Sequence, residues 1–230
     1  VIENKDLFYM VASLMGGIAL AFALSGPEVP SDPQEGISLV DTVIIESDCP
    51  EILINKKALL VGDSHSAFSK GWQSFLSEWT GIKITNTAVE GKTTGWMKRK
   101  LVENVDSTYD YCFIFGGGND ASIGIPSSQI LSNYNVMIDL CKEYGIKPVI
   151  ITGTSPDKVL NSTSSKWKMY ANIKRNYQDS LSCISEATII ETRWAIEKED
   201  CADFLCHLET EGHKKIANEI IKQMNLYRID

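Results

Sequence analysis

The chain has 230 residues, 43% apolar and 23% charged, enough for one α/β domain with its own core and a short appendage. Its formal net charge of −8 disfavours a nucleic-acid partner, because phosphate binding needs a basic face. Six cysteines are too few for a disulfide scaffold at this length, though some could pair if the chain is exported.

Residues 7–25 carry no charge and come close to the roughly 20 residues that span a bilayer. A signal peptide is the rival reading, since Ala21-Phe22-Ala23 resembles a cleavage site. Glu3, Lys5 and Asp6 ahead of it lack the positive charge a signal peptide needs, so an uncleaved anchor is the preferred expectation. The chain is therefore expected to be membrane-anchored or exported. Residues 26–36 hold three of the seven prolines and read as an extended linker, which sets the domain at 37–230.

Within 37–230, residues 42–46 form an extra strand or an extended lead-in. Residues 57–61 read as a strand. Residues 66–79 read as one helix with Phe68, Trp72, Phe75, Leu76 and Trp79 on one face. Strands follow at 82–85 and 111–115, with the basic run Lys98-Arg99-Lys100 between them reading as a solvated helix face. A helix at 127–144 stops at Gly145, a strand occupies 148–152, a helix 166–183, a strand 187–191 and a last helix 210–224. Strand alternating with helix predicts an α/β fold with a parallel sheet covered on both faces. In such sheets ligands bind beyond the carboxyl ends of the strands.

Four polar clusters fall at those ends. Gly62-Asp63-Ser64 puts a serine at a helix N-terminus, where free N–H groups can stabilise an oxyanion, although a plain helix cap has the same look. Gly91 ends the segment 86–91 and would let a backbone N–H approach a ligand, or simply make a turn. Gly116-Gly117-Gly118-Asn119-Asp120 offers an amide donor, or a glycine-rich turn with a cap; no Lys-Ser/Thr follows to make it a phosphate loop. The fourth cluster holds His207 and His213, two of the three histidines, at the start of the last helix. A nucleophilic Ser64 needs a base. His65 is set aside because adjacent side chains on a helix diverge, which leaves His207 or His213.

Together these clusters resemble the SGNH (GDSL-like) hydrolase family, whose blocks run as a GDS serine, a glycine, a G-x-N-D asparagine and a histidine near the C-terminus. The resemblance spans residues 57–220 and selects His207, which is followed by Gly212-His213 as in the family. It implies a flavodoxin-like three-layer α/β/α sandwich with a parallel sheet of about five strands. It further implies a serine esterase: Ser64 as nucleophile, His207 as base, and an oxyanion hole from the N–H of Ser64, the N–H of Gly91 and the side chain of Asn119. No cofactor or metal is implied. The substrate implied is a small-molecule or glycan ester, with an acylated glycan or lipid ester as the expected class.

The family usually places Asp three residues before the histidine, where this chain has Phe204. Asp203 is the candidate acid, Asp200 its rival, and a Ser–His dyad the third possibility. Trp96, Thr154 and Ser155 are candidates for lining the cleft. Three other functions compete. One is an acyltransferase using the same site. Another is a non-catalytic SGNH-fold binding or structural module. The third is a metal site built from Cys201, Cys206, His207 and His213, which lacks any standard zinc spacing.

Overall fold

The computed structural model describes residues 49–159, 164–202 and 207–229. The expected anchor at 7–25, the linker and the strand at 42–46 lie outside the described residues. Among those described, no helix is long and apolar enough to cross a membrane.

The elements in chain order are β1 (Lys57–Gly62), α1 (Ser64–Ala67), α2 (Trp72–Thr80), β2 (Lys83–Asn86), α3 (Thr94–Asn104), β3 (Tyr111–Phe115) and α4 (Gly118–Ser122). They continue with α5 (Ser127–Glu143), β4 (Lys147–Ile151), α6 (Pro156–Val159), α7 (Ser165–Leu181), β5 (Thr188–Ile190), a 3-10 turn (Lys198–Asp200) and α8 (Thr210–Gln223). All five strands are parallel, in the order β2-β1-β3-β4-β5. That is the flavodoxin-like order, and the expected α/β/α sandwich is the one observed.

The near-continuous apolar strands follow from burial on both faces. In β1, Ala58 and Leu60 join one core with Trp72 and Leu76 of α2 and Ile216 and Ile220 of α8. Leu59 and Val61 join the other, with Met97 and Leu101 of α3 and Tyr134 and Met137 of α5. In β3, Phe113 and Phe115 pack on the first side, Cys112 and Ile114 on the second. Cys112 is a buried free thiol.

Two expectations need correction. The single helix read at 66–79 is two: α1 is one turn long, Phe68 is extended (ψ 127°), and α2 begins after an extended Gly71. Gln73 Nε2 donates to the Phe68 carbonyl at 2.5 Å and fixes the break. The basic run sits, as expected, on a helix, but α3 extends over 11 residues and was only partly legible. The glycine-rich stretch after β3 is not only a turn, since α4 starts at Gly118.

Candidate active site

The chain leaves β1 for the sheet edge at β2, then returns to β3 on the other side of β1. The β1/β3 boundary is thus the topological switch point, where a crevice opens beyond the carboxyl ends. The Ser64 segment follows β1, and the Gly116–Asp120 segment follows β3. The two glycine-rich ends are stitched together: Gly62 pairs with Phe115, and Asp63 N–H donates to the Phe115 carbonyl at 3.3 Å. A Cβ on Gly62 would come within 2.9 Å of Ser66 and 3.0 Å of the Phe115 carbonyl. Only glycine lets β1 turn this tightly into α1.

Asp63 caps α1 by accepting the His65 N–H at 3.1 Å. Ser64 is therefore the first residue of a helix, and the N–H groups of His65, Ser66 and Ala67 that follow it are all taken by Asp63. A cleft of about 590 Å³ opens here, lined by Ser64, His65, Phe68, Glu90, Gly91, Asn119, His207, Leu208 and His213. His207 Nε2 lies 3.1 Å from Ser64 Oγ across 143 residues of sequence. Its position is set by backbone pairing: its carbonyl accepts from Ala202 N–H at 2.7 Å, Leu208 bridges to Cys201, and Glu209 N–H donates to the Asp200 carbonyl. Cys201 is disulfide-bonded, which withdraws its thiolate from the metal-site reading.

Gly91 faces the cleft at φ +70°, a backbone conformation that favours glycine. Asn119 Nδ2 donates to the Lys92 carbonyl at 3.0 Å and approaches Asp63 Oδ2 at 3.4 Å. Beneath them Asp120, fully buried, accepts from Thr94 N–H at 2.9 Å and Thr94 Oγ1–H at 2.6 Å. Burial raises its carboxyl above the usual range. This pair ties the segment after β3 to the start of α3, and so holds Asn119 beside the Gly91 loop.

The other candidates fall elsewhere. Trp96 is half-buried on α3, packed against the second core with Lys92 above its ring. Thr154 is buried, where Lys174 Nζ donates to its hydroxyl at 2.8 Å. Ser155 is buried and accepts the Asp157 N–H. None of the three lines the cleft. Asp203, the candidate acid, lies outside the described residues. Asp200, its rival, accepts from Glu197 N–H at 2.8 Å and pairs with Lys215 at 2.7 Å.

Two residues of the cleft escaped the sequence reading. Phe68, assigned to a helix face, is 54% exposed and stands at the cleft because the helix breaks there. His65 does not diverge out of reach: its ring centre is 5.7 Å from that of His207, and its Nδ1 is 3.1 Å from Asp63 Oδ1. His213 lines the cleft too, but its Nδ1 accepts the Trp72 N–H at 3.2 Å.

No family model matches the chain. An arylesterase of Vibrio mimicus is 32% identical over 42% of this chain and 54% of the relative, so the chain spans about half the length of that relative. A lipolytic protein of the G-D-S-L family from Veillonella parvula has the same fold, with a TM-score of 0.61 at 17% identity over 73% of this chain and 97% of that one. The acetylxylan esterase Axe2 of Geobacillus stearothermophilus gives 0.60 at 14% identity over 76% and 96%. The esterase EstA of a Pseudoalteromonas species gives 0.54 at 15% over 74% and 97%. The fold expected from the four sequence blocks is thus borne out, and the resemblance to the SGNH hydrolases with it.

Proposed function

We propose that this chain, which carries the fold and the ordered sequence blocks of the SGNH hydrolases, is a serine ester hydrolase. The observation that carries the reading is the 3.1 Å approach of His207 Nε2 to Ser64 Oγ at the switch point of the sheet. Ser64 Oγ attacks the ester carbonyl while His207 takes its proton, giving a tetrahedral intermediate. Collapse expels the alcohol, which His207 protonates, and leaves an acyl-serine. A water then adds with His207 as base, and the acid departs as Ser64 is regenerated.

Three donors serve the oxyanion: the N–H of Ser64, the N–H of Gly91 and the Asn119 side chain. One amide hydrogen of Asn119 is held by the Lys92 carbonyl, which orients the group; the other meets Asp63 only at 3.4 Å. That second bond, to a carboxylate oxygen, is long, which makes this hydrogen the one available to a developing oxyanion. Asp203 is the acid assigned to orient His207, on its sequence position and on the engagement of Asp200 with Lys215. The esterases among the structural neighbours, with the arylesterase relative, support the ester substrate class. Membrane attachment through residues 7–25 is a separate proposal that rests on their lack of charge alone.

Ser64→Ala is expected to fold normally and lose nearly all ester hydrolysis, and a fluorophosphonate probe should label the natural chain and not the variant. Equal labelling of both would remove Ser64 as the nucleophile. Asn119→Ala is expected to lower kcat by about 10²–10³ with a smaller change in KM. An unchanged kcat would make Asn119 a turn residue.

A further inference from the structure

Three histidines line the cleft. His207 approaches Ser64, and His65 is held to Asp63. His213 has no part in the proton transfers proposed above. It sits on the first turn of α8, is only 3% exposed, and its Nδ1 accepts the Trp72 N–H. A backbone N–H only donates, so Nδ1 must offer its lone pair, and the proton of the neutral ring resides on Nε2. Burial holds the imidazolium down to a pKa of about 4, so the ring stays neutral.

Nε2–H has no hydrogen-bond partner among the described residues, yet it is not one of the buried atoms left orphaned. Nε2 is therefore not fully enclosed, and the space that His213 lines is the cleft. The ring of Phe68 stacks on His213, with centres 6.0 Å apart and planes within 14°. The cleft thus has a wall with one aromatic face and one fixed, uncharged donor. Among the described residues that line the cleft, Glu90 is the one carboxylate and there is no Lys or Arg. Such a lining suits a neutral substrate better than an anionic one.

We propose that His213 is a specificity residue whose Nε2–H donates to an acceptor oxygen beside the scissile ester, with Phe68 packing on the adjoining C–H face, so that the site selects acylated sugars over plain aryl esters. This rests on the ester-hydrolase reading. A sugar ring offers both features: hydroxyl and ring oxygens that accept, and an apolar C–H face. A site built to pair a substrate oxygen discriminates against an analogue lacking it, because its own donor would be left unpaired.

The test uses the full chain and two substrates, an O-acetylated methyl xyloside and 4-nitrophenyl acetate. His213→Asn keeps an acceptor in the place of Nδ1 for the Trp72 N–H and withdraws the donor at Nε2. His213→Gln keeps a donor at the ε position and gives up the Trp72 bond. His213→Asn is expected to lower kcat/KM for the acetylated xyloside by about tenfold, through KM, and to leave the aryl acetate within about twofold. His213→Gln is expected to lower the melting temperature and keep the substrate ratio nearer that of the natural chain. In Ser64→Ala protein, where the ester stays intact, adding the acetylated xyloside should shift the ¹⁵N resonance of His213 Nε2. An unchanged ratio in His213→Asn, or a resonance that does not move, overturns this inference. If the natural chain hydrolyses neither ester, the ester-hydrolase reading fails instead, and the inference falls with it.

Discussion

At the scale of single residues, the open position is the acid behind His207. Asp200 is spent on structure: it caps its own turn through Glu197 N–H and pairs with Lys215. Asp203 is therefore the assignment to test. Asp203→Asn is expected to lower kcat by about 10⁴, the size of the effect when a serine protease imidazole is left in the wrong tautomer. Asp200→Asn should lower stability and leave kcat near normal. Steady-state kinetics of both variants beside His207→Ala decide the matter; near-normal activity in both would mean a Ser–His dyad. Ser64, Gly91, Asn119 and His207 were legible in the sequence because each is a chemically distinct residue at a strand or helix end, and their order adds information that no single block holds. His65 and Phe68 were not legible, because their reach into the cleft depends on α1 ending after one turn. His213 was visible as a candidate base. Only the Trp72 N–H, 141 residues away in sequence, shows that its acceptor nitrogen is taken.

At the scale of elements, the legible pieces were those whose pattern is local. The strands were found within a residue or two, and α5, α7 and α8 carry clear helical periods ended by turn residues such as Gly145 at φ +71°. The helix α3 was only partly legible, and α4 not at all, for another reason. α3 buries few residues and presents a charged face, while α4 opens on glycines, which ordinarily oppose helix formation. Both are held by tertiary contact, chiefly the Asp120–Thr94 pair, with Asn133 Nδ2 donating to Thr94 Oγ1 at 2.9 Å. Because this clamp fixes Asn119 against the Gly91 loop, its loss should be felt in both stability and catalysis. Asp120→Ala leaves the Thr94 N–H and hydroxyl without their acceptor and is expected to cost about 1–3 kcal/mol. It should also lower kcat roughly tenfold or more, as small misplacements of donors do. Urea unfolding and kcat measured on the same preparation check both; a stability loss with unchanged kcat would make the clamp purely structural.

At the scale of the whole molecule, the parallel order β2-β1-β3-β4-β5 brings residues near positions 64, 91, 119, 207 and 213 to one end of one sheet. The alternation of strand and helix predicts that architecture, and the rule of the switch point then says where to look. The same convergence ties acid stability to the site, because α8 is docked on α2 partly through a neutral histidine. His213 titrates at about 4 in the folded chain, against an ordinary value of 6.5, with burial as the main cause and the neighbouring His65 as the second. Between those two values the unfolded chain binds a proton that the folded chain refuses, so unfolding takes up protons and stability must fall as pH falls. The contribution is fully present above pH 6.5, declines from there toward pH 4, and is lost below it. Its size is on the order of 3 kcal/mol. His213→Asn, which cannot titrate but still offers an acceptor to the Trp72 N–H, should flatten this dependence. The measurement is the difference in unfolding free energy between the natural chain and the variant from pH 7 to pH 4, which cancels the carboxylates common to both. The variant is expected to be less stable at pH 7, having lost the ring that packs on Phe68, and to close that gap as the pH is lowered. A difference that stays constant over this range would mean that His213 keeps its proton in the fold.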